Sequence, residues 1–312
     1  MAQVEAFTTF KNKGANSMQM RRFDVVVFTD NLMHTGLSGV KTLNKNAPLN
    51  ELNSVLRETF SHGIGENSIT HDREKGILVI KDARDARDLG TRDVVDDLEI
   101  TAKIFFMEYP NPDNVAGLEA SIEQNLEFVK DHLKVNRIDN LILAFSPAEP
   151  KEHIKISSLE STKKHHNGYD LDSFCKLWSL LRIRQQLDDF SRLGVSDFSL
   201  KMLQELKDTS AGLPDINQIK LSECEGLSES LLQFAVSNNI ELLSNTDVDS
   251  FITPKSLTNA TQSFDFEPLL GDMKSKSPLV LTPRVVTKYN TIIKNRSIVR
   301  SKGYIVTATA QI

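Results

Sequence analysis

Leu118, Ile122, Leu126, Val129 and Leu133 recur at spacings of four, four, three and four residues. One apolar stripe with charged residues between its members predicts a helix over 114–134. A similar period through Leu171, Phe174, Leu177, Trp178, Leu181, Leu187 and Phe190 predicts a second long helix over 170–190. Shorter helical patterns cover 48–62, with Pro48 at an acceptable first-turn position, and 199–208, 227–239 and 283–295. Between them lie short, mostly apolar runs that read as strands: 23–29, 76–82, 99–108, 138–147, 192–196, 215–223, 240–247 and 297–306. The polar excursions 148–169 and 250–278 read as irregular, and the mixed-sign run 82–93 as solvated.

Strands and helices alternate almost throughout. Parallel strands need crossover connections, so regular alternation implies a parallel sheet. Eight such strands favour a closed (β/α)8 TIM barrel over an open sheet. The last strand is followed by only a few residues, so the barrel is expected to have a truncated C-terminal end with part of its wall uncovered. Residues 1–22 are polar and read as a flexible segment, and 23–312 as a single barrel domain.

Composition narrows the function. The 312 residues are 39% hydrophobic and 25% charged, with a net charge of -5. That balance gives no electrostatic reason to expect nucleic acid or an anionic membrane as partner. No apolar run reaches the roughly 18 residues of a spanning helix. The first residues lack the apolar core of a signal peptide, so a cytoplasmic protein is expected. Cys175 reads as a buried helical hydrophobe and Cys224 as a loop thiol; neither has the spacing of a zinc or disulfide site. His165 and His166 are adjacent and point apart, so no metal site is expected there. Gly36 and Gly39 lack the rest of any phosphate-loop pattern.

In such a barrel the chemistry sits at the C-terminal ends of the strands. Lys103 lies in line with Phe105 on an otherwise apolar strand, and a buried lysine needs a partner. It reads either as an acid/base group or as a lysine whose amine reaches a carboxylate. Gln218 faces the interior and must satisfy its amide. Ser196 and Asp197 form a strand-to-helix corner in RLGVSDFS and read as caps of the next helix.

RLGVSDFS, then DINQIKL, then IELLSNTD resemble the second half of an aldo-keto reductase barrel, and IDNLILAFSP and ITAKIFF resemble its fourth and third strands. The resemblance makes Lys103 one of four catalytic positions, with Asp82 as candidate for the aspartate. It makes Ser196, Asp197 and Gln218 nicotinamide-site positions. Two catalytic groups are missing. The tyrosines are Tyr109, Tyr169, Tyr289 and Tyr304, none upstream of Lys103, and Phe145 or Ser146 stands where the family has histidine. General acid catalysis needs a donor within reach. These positions are therefore expected to be vestigial, with no cofactor.

A non-catalytic branch fits better. AKIFFME, DNLILAFSP, NQIKLSEC, NIELLSNTD and above all YNTIIKNRSIVRSKGYIV are similar, in the same order, to the regulatory (modifier) subunits of glutamate–cysteine ligase. That resemblance implies a protein without catalysis of its own. It would form a heterodimer with the ligase catalytic subunit, improve its glutamate affinity and ease glutathione feedback, in the first step of glutathione synthesis. The alternative is a divergent NADPH-dependent reductase or NADPH-binding sensor. The uncovered wall places the partner contact on 283–306, with Tyr289, Lys294, Arg296, Arg300, Lys302 and Tyr304, and with Cys224 nearby.

Overall fold

The apolar stripe of the first long helix folds as expected: α2 spans Val115–Leu133 and buries Leu118, Ile122, Leu126, Val129 and Leu133. Each such side chain contributes about 2 kcal/mol relative to exposure. Lys134 closes the helix in the left-handed conformation at φ 54, its N–H returning to the Lys130 carbonyl. The computed structural model describes residues 22–33, 47–72, 77–85, 97–145, 165–166, 169–220, 228–247, 252–266 and 279–311. The expectations for 1–21, Gly36, Gly39, Ser146 and Cys224 lie outside these residues.

Five strands form the parallel block: β4 (Leu98–Phe106), β5 (Ile138–Phe145), β8 (Phe190–Ser196), β9 (Ile216–Lys220) and β10 (Glu241–Asn245). They pair in chain order. α2, α3 (Leu171–Gln186), α4 (Leu200–Lys207) and α5 (Glu229–Ser237) are the crossovers between them. β1 (Arg22–Phe28) pairs in parallel with β3 (Ile77–Lys81). Between those two strands in sequence lie α1 (Ala47–His62) and the added strand β2 (Ile69–Asp72). His165–His166 (β6) and Tyr169–Asp170 (β7) make a separate two-stranded pair.

The C-terminal part differs from expectation. Residues 283–295 are not helical: β11 (Val280–Ile293) and β12 (Ile298–Gln311) form a long antiparallel hairpin. Val285, Val286, Thr287, Thr291, Ile292 and Ile293 are β-branched, which favours extended backbone and outweighs the apparent helical spacing. The hairpin is inserted between β4 and β1, antiparallel to both, giving the order β10-β9-β8-β5-β4-β11-β12-β1-β3-β2. Three antiparallel pairings in succession make β1 and β3 run opposite to β4. An all-parallel eight-stranded barrel is therefore replaced by a ten-stranded mixed sheet, parallel-rich, with β10 and β2 at its edges among the described residues.

Smaller differences have local causes. The second long helix stops at Gln186; Leu187 is 69% exposed and Phe190 is buried in β8. Within 250–278 a short helix α6 (Pro254–Ala260) forms, because Thr253 and Ser256 cap each other's backbone N–H groups and Pro254 supplies the first turn. One face of the sheet packs against α2 to α5 around Trp178 and Phe174. The other packs Val25, Val27, Phe105, Val286, Tyr304 and Val306 against Leu52, Val55, Leu56 and Phe60 of α1 and Leu257 of α6.

Candidate functional site

Lys103 is 4% exposed and its three ammonium protons have three acceptors. Nζ donates to Ser196 Oγ at 2.8 Å, Gln218 Oε1 at 3.0 Å and Asp247 Oδ2 at 2.7 Å. The lysine also lies 5.1 Å from the centroid of the Phe105 ring. β4 and β10 are four strand positions apart, about 19 Å across a flat sheet at about 4.8 Å per step. Asp247 follows β10 by two residues, so its contact with Lys103 requires the parallel block to curl around a concave face carrying Lys103.

The network continues beyond the lysine. Ser196 Oγ donates to Asp197 Oδ2 at 2.9 Å. Asn245 Nδ2 donates weakly to Ser196 Oγ and Asp197 Oδ1, at 3.4 and 3.3 Å. Lys288 Nζ, from β11, donates to Asp247 Oδ1 at 3.0 Å. One carboxylate thus serves two ammonium groups. Burial would push the Asp247 carboxyl up, but Lys288 and Lys103 outweigh it and hold it below the usual carboxylate range. Burial lowers the Lys103 ammonium below the usual lysine value, with Asp247 opposing.

The structure brings Lys103, Ser196, Asp197 and Gln218 into one network. Sequence reading gave Asp247 no role and hid Lys288 inside a supposed helix. The β-branched run around Lys288 was the signal for a strand. Ser196 and Asp197 are not helix caps: Ser199 is the N-cap of α4, its Oγ accepting from Met202 N. Asp197 instead takes φ 61 and joins β8 to β9, its N–H donating to Gln218 O and its Oδ1 accepting from Lys220 N, both at 2.7 Å. Asp82 belongs elsewhere. It is held by Arg84, whose Nη2 lies 2.6 Å from Asp82 Oδ2, beside Asp30 and Glu58.

No family model matches the chain. It is 22% identical over 300 residues to the glutamate–cysteine ligase regulatory subunit of Bos taurus, covering 95% of this chain and 97% of that protein. The Mus musculus subunit gives the same identity and shares. The Homo sapiens subunit is 23% identical over 213 residues, 68% of this chain and 67% of that protein. The chain resembles glutamate–cysteine ligase regulatory subunits. Among solved structures, aldose reductase from Giardia lamblia overlaps 62% of this chain and 52% of its own, with 13% identity and a TM-score of 0.32. An aldo/keto reductase from Brucella melitensis overlaps 40% of each chain, with 18% identity and a TM-score of 0.27.

The SKGYI segment, the most specific part of the regulatory-subunit resemblance, lies within β12 and much of it faces inward. Ser301 and Thr291 share a hydrogen bond of 2.8 Å. Lys302 and the Tyr304 hydroxyl both reach Glu51 of α1, at 2.7 and 2.5 Å. Burial, with Glu51 beside it, raises the Tyr304 phenol well above its ordinary value. Tyr289 and Tyr304 are 1% and 0% exposed, so neither lies on the outer wall proposed for a partner. Tyr289 instead meets His132 Nε2 at 2.8 Å. Of the proposed contact residues, Lys294 and Arg296 stand exposed at the hairpin tip and Arg300 is half-buried. Cys175 is half-buried against the core. Among the described residues no group of three or more His, Cys, Asp or Glu is placed to hold a metal, and no helix is long and apolar enough to cross a membrane.

Proposed function

We propose that this chain is a non-catalytic regulatory subunit of a glutamate–cysteine ligase. It would bind the catalytic subunit as a heterodimer, favour glutamate binding there and ease inhibition by glutathione. The observation that carries this reading is similarity to named regulatory subunits over 95% of the chain. The committed Lys103 supports it: all three donors are used internally, leaving none for a substrate oxygen. A regulator of this kind acts by binding one state of its partner better than another. A cytoplasmic location accompanies the reading, and the exposed hairpin tip around Lys294 and Arg296 is its candidate contact.

The test is to mix the purified chain with the matching catalytic subunit. Co-elution, a lower Michaelis constant for glutamate and weaker glutathione inhibition are expected; no complex and unchanged kinetics would overturn the proposal. The alternative, an NADPH-dependent reductase, draws on the meeting of Lys103, Ser196 and Gln218 in one network. Aldehyde-dependent NADPH consumption abolished by Lys103→Met would establish it instead.

A further inference from the structure

The parallel block ends at β10 with two open surfaces on the same side. The first is backbone. The Glu241 N–H donates to Asp215 O, and Glu241, Leu243 and Asn245 lie opposite Ile216, Gln218 and Lys220 of β9. Backbone groups alternate in direction along a strand. The N–H and C=O groups of Leu242 and Ser244 therefore point out from the edge, where no strand among the described residues pairs with them. Ser244 is exposed and Leu242 half-buried. β10 reads ELLSN and has neither the lysine nor the proline that commonly guards an edge.

The second surface is apolar. α5 is the crossover into β10. Its Leu231 and Ala235 face the core. Phe234, on one flank, meets Lys207 of α4, whose Nζ is 5.5 Å from the ring centroid. Leu232 and Val236 are each one residue on from a core position, so they occupy the opposite flank, away from α4 and beyond β10. They are 46% and 70% exposed and stand one turn apart. The sheet layer and the helix layer thus stop unfinished at one place, and a partner that continues both would cover an apolar ridge and an unpaired edge together.

We propose that this edge is a contact between two copies of this chain, with β10 antiparallel to β10 about a two-fold axis at Leu243. A two-fold interface needs a patch that complements itself, and this one does. With Leu243 opposite its own copy, Leu242 of each chain faces Ser244 of the other, so both outward residues of each edge exchange N–H···O bonds. Glu241 faces Asn245, so no like charges meet. On the helix face of the joined sheet, the Leu232–Val236 ridges of the two α5 helices turn toward each other. Five paired residues and the ridge cover about 600 Å² per copy, or about 1,200 Å² in all, the lower bound for a specific complex and a size that suits a reversible dimer. The hairpin tip proposed above for the catalytic subunit lies on other strands, so the two contacts are separate.

The experiment is sedimentation velocity of the isolated full chain over about 1–100 μM, the range of such reversible contacts. The mass is expected to rise with concentration from 35.0 kDa toward twice that value. Val236→Glu on the ridge should weaken association at least about ten-fold. Ser244→Pro removes an outward N–H and leaves the β9 pairing intact, and should do the same. Leu187→Glu, at a leucine 69% exposed at the end of α3, should change nothing. Leu243→Cys, opposed to itself on the axis, should give a disulfide-linked dimer under mild oxidant, and Glu241→Cys should not. Both variants keep Cys175 and Cys224, so the difference between them is the readout. Thermal melts establish that each variant is folded, and Val236→Glu, at an exposed position, keeps the test decisive where Ser244→Pro fails to fold. A monomer at every concentration, a dimer unmoved by Val236→Glu, or equal cross-linking of the two cysteine variants would overturn the proposal. A monomer whose co-elution with the catalytic subunit is lost in Val236→Glu would also overturn it, and would give this edge to that subunit. The regulatory reading is tested with the catalytic subunit present, so a monomeric chain alone leaves it untouched.

Discussion

Asp247 reaches across the concave face to Lys103, 2.7 Å away, from beyond the edge strand of the parallel block. Their side chains are 7% and 5% exposed. Removing one member of such a pair strands a charge in the interior, which costs about 3–5 kcal/mol. Asp247→Ala should therefore lower the unfolding free energy by that order, read from the denaturant midpoint at constant slope. Lys103→Met should cost less, because Asp247 keeps Lys288. Equal losses from the two variants would contradict the view that Asp247 is the shared hub.

The same carboxylate gives the fold an acid limit. Asp247 is held below its unfolded pKa, so its contribution is fully present above about pH 4, the ordinary aspartate value. It is lost as the pH falls through the lower folded value. Denaturant melts from pH 7 to pH 3 should show this loss in the native chain. Asp247→Asn, already without the charge, should show a shallower decline over that window, and parallel curves would count against the assignment.

Gly303 is the glycine of SKGYI, and its neighbour explains it. A Cβ there would lie 2.3 Å from the Tyr289 hydroxyl and 2.6 Å from Cζ of the same ring. Tyr289 is buried and bonded to His132, so it has little room to move. Gly303→Ala should cost about 1–3 kcal/mol through overpacking. Tyr289→Leu in the same chain should recover part of that loss, and additive losses would refute the steric account.

Ser199, not Ser196 or Asp197, caps α4. Ser199→Ala should cost about 1 kcal/mol with little effect on the Lys103 network. Ser196→Ala, which removes one of the three lysine acceptors, should cost more. Comparing the two midpoints separates capping from network.

Parts of this fold were legible because their side chains obey one period against one neighbour. The α2 stripe meets a single sheet face, and all five of its predicted core residues are buried there. The parallel block followed from alternation for the same reason. β11 was misread because Val285, Val286, Tyr289, Ile292 and Ile293 also fall at helical spacing, whereas strand pairing puts Val285, Thr287, Tyr289 and Thr291 on one face and Val286 and Lys288 on the other. Local pattern contains no record of which strands a hairpin will join. Lys103 announced its need for a partner, but Asp247 is 144 residues away in sequence, and only the curl of the sheet makes them neighbours. Gly194 also took its meaning from packing: it lies inside β8, where a Cβ would stand 2.9 Å from Ile216 Cβ.

The hairpin has a consequence for how the chain assembles. Among the described residues, β1, β2 and β3 pair only among themselves and with β12, while β4 to β10 pair only among themselves and with β11. Of these residues, 280–311 form the one strand-pairing seam between an N-terminal three-stranded piece and the five-stranded block. The seam joins Arg22 to Gln311, so its loop spans nearly the whole chain. Closing so long a loop is slow. During synthesis both pieces would carry a raw edge until the last strands emerge, making the late chain the period of greatest exposure to misassembly.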